Sequence, residues 1–126
     1  MAKVRWKDEP EDHDFPAATD YLELLVSPAM AAAITKSLRS APTTSKRSKD
    51  LLRAARLEAL DGANPHVAND LRKIRDKELL SPVLLVRGDA ASGRPLIVAD
   101  GFHRICAVHL VDENAEIPCR LADFPL

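Results

Sequence analysis

A chain of 126 residues with 46% hydrophobic and 29% charged side chains has material for one modest core, which excludes a second sizeable domain and disorder of the whole. Its 4% aromatic content leaves too few rings for the stacking platform that single-stranded nucleic acid requires. The formal net charge is -1, yet residues 8–23 carry seven acids and no Lys or Arg while residues 36–56 carry seven basic residues against Asp50, so the molecule has two electrical poles.

In chain order, a Pro-broken acidic arm covers residues 1–18. Thr19 or Asp20 then caps a short helix through Tyr21, Leu22, Leu24, Leu25 and Val26. Ser27-Pro28 restarts it, because Ser is a good N-cap and Pro fits the first helical position. Residues 28–39 therefore read as a second helix, with Met30, Ile34 and Leu38 at helical spacing. Residues 41–44 are a loop. Ser48 or Ser45 caps a third helix with Leu51, Leu52, Ala55 and Ala59 as its apolar stripe, and Gly62 is its stop, closing a helical region over 19–62.

Asn64-Pro65 caps a fourth helix over 65–77. Val67, Leu71 and Ile74 form one apolar stripe, while His66, Asn69 and Lys73 share the other side. Residues 82–87 read as a buried strand, 88–94 as a loop and 95–99 as a second strand, antiparallel to the first if the loop closes a hairpin. A last helix over 102–112 leads to a third strand over 117–121. These elements predict a single α+β domain: a small mixed sheet with a β-hairpin and a strand-helix-strand unit in the core region 63–126, packed by helices, behind a helical N-terminal half.

The chemistry concentrates at Asp100-Gly101-Phe102-His103-Arg104, where an apolar strand ends and an apolar helix begins. A helix's first turn has backbone N–H groups without intrahelical partners and the positive end of the macrodipole, which favours an anion. The dipole alone contributes only about 0.3–1 kcal/mol, so a phosphate site needs further donors. His103 and Arg104 supply them, and Gly101 lets the backbone approach closely. The pentapeptide also has a purely structural reading, in which Asp100 caps the helix and Arg104 pairs with a carboxylate such as Asp100 or Glu113.

From His66 to Leu121, the two-faced helix, the hairpin, the DGFHR turn, the apolar helix and the IPCRL strand resemble the ParB/sulfiredoxin superfamily. The corresponding turn there reads GxHR or GxRR and holds nucleotide phosphates. The resemblance implies that Gly101, Phe102, His103 and Arg104 line the phosphates and that His66, Asn69 and Lys73 contact the rest of a nucleotide; Asp100, which opens the turn, is a candidate site residue beside them. The implied cofactor is ATP or another NTP with Mg²⁺, and the implied activity is NTP-dependent phosphotransfer or NTP hydrolysis. Sulfiredoxins carry their reactive cysteine immediately before the His-Arg pair, where this chain has Phe102, so sulfinic acid reduction is not expected. The alternative is a non-enzymatic nucleic-acid-binding or protein-interaction module of ParB-like type.

Other clusters weigh less. Asp12, His13 and Asp14, with Glu11, have the ligand types for a divalent cation, against the commoner reading of a solvated acidic arm. His103, Cys106 and Cys119 make a zinc set only if the last strand lies beside the start of the last helix; otherwise the two cysteines are buried thiols. His109 reads as a core histidine. Ser45, Lys46, Arg47, Lys49 and Arg53 along one helix start would suit nucleic-acid phosphates, or simply a solvated face. The opening residues hold no apolar run, which predicts neither a signal sequence nor an anchor and points to the cytoplasm.

Overall fold

The computed structural model describes residues 3–125; Met1, Ala2 and Leu126 lie outside the described residues. In chain order the elements are β1 (Arg5–Trp6), α1 (Asp14–Leu22), α2 (Pro28–Ser40), β2 (Thr43–Arg47), α3 (Ser48–Ala55), α4 (Pro65–Arg75), β3 (Leu79–Leu80), β4 (Val83–Val86), β5 (Ile97–Asp100), α5 (Phe102–Val111) and β6 (Glu116–Ala122). The fold is α+β, as expected. Four strands form a mixed sheet in the order β2-β6-β4-β5, and β1 pairs with β3 in a two-stranded parallel sheet.

Strand β4 explains the layering. All four of its side chains are buried, and they alternate between two cores on opposite faces of the sheet. Val83 and Leu85 join Val67, Ile74, Ile105 and Val108 from α4 and α5. Leu84 and Val86 join Phe15, Leu22, Ile34 and Leu38 from α1 and α2. Each such fully buried side chain contributes about 1.5–3 kcal/mol relative to exposure, so this short run holds both helical layers. It pairs antiparallel with β5 and parallel with β6, which makes the 95–99 hairpin and the strand-helix-strand unit the expected ones.

The local caps explain where two helices start. Ser27 Oγ accepts from the Met30 amide at 3.2 Å, and Asn64 Oδ1 accepts from the His66 and Val67 amides at 2.9 and 3.2 Å. Pro28 and Pro65 occupy first-turn positions, where a missing N–H costs nothing.

The N-terminal half departs from expectation. The first helix begins at Asp14 and ends at Leu22, so Thr19 and Asp20 lie inside it and Leu24 to Val26 lie beyond it. Pro16 is tolerated because it falls in the first turn. Residues 43–47, expected as a loop and helix start, form edge strand β2, paired antiparallel with β6 from Thr43↔Arg120 to Arg47↔Glu116. All five of its side chains are exposed, so no hydrophobic alternation marked it. Ser48 opens α3 without capping it. Its buried hydroxyl donates instead to the Glu113 carbonyl at 2.7 Å, tying α3 to the loop after α5. The helix stops at Arg56, in the left-handed region at φ 56°, well before Gly62.

The acidic arm is folded as well. Pairing of Arg5 with Leu79 and Trp6 with Leu80 ties the start of the arm to β3, which follows α4. Among the described residues no helix is long and apolar enough to cross a membrane.

Candidate functional site

The site begins at the end of β5. Gly101 has φ 105° and ψ 17°, and a Cβ there would fall 2.5 Å from Val83 Cγ1 and 2.7 Å from Arg104 Nη2. Only glycine supplies this turn without strain and without a clash. The chain then enters α5, whose first turn has no side-chain cap, so its leading amides remain available to a ligand.

A cleft of about 320 Å³ opens at this turn. It brings together Asp100, Gly101, His103 and Arg104 with His66, Asn69 and Lys73 from α4. The two groups were joined in sequence only by resemblance; in space the His66 and His103 rings lie 4.7 Å apart between centroids, tilted by 39°. Phe102 does not line the cleft. It packs against the core of α3, α4 and α5.

Glu11 and His13, two of the arm's cation candidates, line it as well. Asp70 from α4, which the sequence reading did not single out, joins them. Asp70 is four residues beyond His66 and three before Lys73, a spacing that places it on the same helical face, but a carboxylate is ordinarily assumed to face solvent. Here it is buried. Burial pushes its carboxyl above the usual range, against the pull of Lys73, Arg104, His103 and His66.

Arg104 sits between two carboxylates. Its Nη2 donates to Asp100 Oδ2 at 2.8 Å, and its Nη1 lies 3.8 Å from Asp14 Oδ1. Its buried Nε–H has no hydrogen-bond partner among the described residues. The structural reading of the pentapeptide is therefore realised in part: Arg104 pairs with Asp100, though Asp100 caps nothing. Burial raises the Asp100 carboxyl above its ordinary value; Arg104 opposes the shift, and Asp14 adds to it.

The arm completes the wall. Asp14 Oδ2 accepts from the Glu11 amide at 2.9 Å. His13 bridges, with Nδ1 3.1 Å from Glu11 Oε2 and Nε2 3.4 Å from Asp14 Oδ1. Lys7 pairs with Glu11, and this ammonium holds the Glu11 carboxyl below its usual range. The His103 imidazole is pushed down by burial first and by His66 second, with Asp70 opposing, which favours its neutral, proton-accepting form.

The cation candidates separate. His13 faces this cleft and Asp14 is buried against Arg104, whereas Asp12 lines a different depression with Phe15, Arg39 and Arg120. Among the described residues no three His, Cys, Asp or Glu side chains are placed to hold a metal ion. Cys106 and Cys119 are both fully buried; the Cys106 Sγ accepts from the Leu60 amide at 3.4 Å, and burial pushes the Cys119 thiol up to about 11. His109 is half-buried, so it is not a core histidine. Ser45, Lys46 and Arg47 belong to β2 while Lys49 and Arg53 belong to α3, so no single helix start presents the five.

What the cleft gathers is a polar chamber whose donors are amides, imidazoles, an ammonium and a guanidinium, and whose acceptors are carboxylates, with Asp70 and Asp100 raised above their ordinary range by burial and Glu11 lowered by Lys7. No known protein family, curated protein or solved structure matches this chain.

Proposed function

We propose that this cleft binds the phosphates of a nucleotide, in keeping with the resemblance of its DGFHR turn to that of the ParB/sulfiredoxin superfamily, and that it serves phosphoryl transfer or NTP hydrolysis. The observation that carries the reading is the meeting of the uncapped first turn of α5 with His103, His66 and Lys73 in one cleft. An anion there gains the helix terminus, two imidazoles and an ammonium together, where the helix terminus alone is insufficient.

Arg104, whose buried Nε–H has no partner among the described residues, also lines this cleft. The residues fit a nucleotide better than they fit a resident metal. Mg²⁺ is usually held by one or two carboxylates and the substrate's own phosphates, and Glu11, Asp70 and Asp100 are the carboxylates that line this cleft. The metal would supply charge neutralisation on the phosphates. Burial raises the Asp70 and Asp100 carboxyls above their ordinary value, which makes each carboxylate a stronger base for taking a proton from an attacking hydroxyl or water.

Isothermal titration of ATP, CTP and GTP with Mg²⁺ tests the reading. Binding by wild type, weakened at least tenfold by Lys73→Ala and by His103→Ala in proteins that still melt cooperatively, supports it. No heat with any of the three overturns it.

A further inference from the structure

Two depressions that share no lining residue with the cleft at the DGFHR turn have a common wall. One, of about 420 Å³, is lined by Arg53, Arg56, Arg87 and Arg94, with Asp89 as its lone acid. The other, of about 400 Å³, is apolar, lined by side chains such as Tyr21, Leu25, Val26, Leu57, Ile97 and Phe124. Arg94, Pro95 and Leu96 line both, and the Arg94 guanidinium stands 4.2 Å over the Phe124 ring at the boundary.

The charge on the first side is not cancelled. Arg53 pairs with Asp50 and Arg87 with Asp123, both at exposed positions where such pairs contribute little. Arg56 donates to the Gly93 carbonyl and Arg94 to the Arg87 carbonyl, and neither has a carboxylate within ion-pair distance among the described residues. The buried Arg94 Nε–H has no partner among the described residues. On the second side, Tyr21, Leu25 and Leu57 are three of the large hydrophobic side chains left exposed, and Leu24 beside them is 79% exposed. A lone exposed leucine means nothing, but a cluster beside a groove marks an interaction surface.

We propose that this composite surface docks an acidic, amphipathic segment of a partner protein, with aliphatic or aromatic anchors in the groove and carboxylates on Arg56 and Arg94. A nucleic-acid backbone would satisfy the arginines and leave the aliphatic groove in water. A neutral apolar segment would fill the groove and leave the guanidinium pair uncompensated. Only a segment carrying both chemistries covers both halves. The surface involves none of the phosphate-cleft residues, so it stands or falls independently of the nucleotide reading.

The test is fluorescence anisotropy of the full chain with an array of labelled peptides about a dozen residues long that combine Asp or Glu with Leu or Phe. Control peptides carry Lys for the acids or Ser for the apolar residues. The expected result is binding by acidic-apolar members alone, weakened about tenfold by Arg56→Glu, by Leu57→Ser and by raising the salt to about 1 M. Both substituted positions are exposed, and cooperative melting shows that the variants fold. Retention of the control peptides as well as the acidic-apolar ones, or no binding by any member of the array, overturns the proposal. So does preferential binding of a labelled oligonucleotide that depends on Arg56 and not on Leu57. A concentration-dependent dimer abolished by Leu57→Ser likewise overturns it, because a second copy then covers the groove.

Discussion

Asp14 and Arg104, from opposite ends of the chain, meet beneath the cleft with 3.8 Å between Oδ1 and Nη1, and the Asp14 side chain is only 3% exposed. A buried carboxylate left without its cation is costly, typically about 3–5 kcal/mol. Arg104→Met therefore lowers unfolding stability by about 3 kcal/mol in urea titration, in addition to any loss of ligand binding. Adding Asp14→Asn and Asp100→Asn to Arg104→Met recovers most of the stability and none of the binding. An Arg104→Met protein as stable as wild type would show that the pairing is incidental.

Gly101→Ala tests the turn that sets the mouth of α5. The new Cβ meets Val83 Cγ1 and Cβ at 2.5 and 2.9 Å, at a φ of 105° that L side chains rarely adopt. Backbone strain and overpacking each cost about 1–3 kcal/mol, so the variant is destabilised by at least about 2 kcal/mol in chemical denaturation. A cost below about 0.5 kcal/mol would mean that the turn adapts freely.

Asp70 and His103 give the stability opposite slopes with pH. The Asp70 carboxyl titrates above its ordinary 3.8 when folded, so between these values the folded state holds more protons and stability falls as pH rises. Asp70→Asn thus raises the melting temperature at pH 8, and the gain shrinks as the pH drops toward 4. His103 titrates below its ordinary 6.5 when folded, so the unfolded state binds more protons just under that value and stability falls as pH falls. His103→Ala flattens the slope below pH 6.5. A gain from Asp70→Asn that is the same at both pH values would contradict the burial of that charge.

The two thiols provide a test of packing. Cys106 and Cys119 are both fully buried, and burial raises both above the ordinary thiol range. Neither reacts with a thiol-directed disulfide reagent at pH 8 in the folded protein, and both react in denaturant, as counted by released chromophore. Rapid reaction of Cys106 in the native protein would show that the start of α5 opens.

Local signals were enough for much of this molecule. Ser27-Pro28 and Asn64-Pro65 place helix starts, the apolar run ending at Val86 marks the central strand, and Gly101 announces a turn, because each depends on partners within a few residues. The polar face of α4 was equally visible, since helical spacing alone aligns His66, Asn69 and Lys73. Burial of Asp70 was not, because it depends on what covers that face. Thr43–Arg47 became a strand only because β6 offered it a ladder, and no periodicity in five exposed residues foretells a pairing partner some seventy positions away. The Asp14–Arg104 pair and the four arginines around one cleft share that origin. Charges attract by distance in space, and the sheet and its two helical layers decided which distant charges became neighbours.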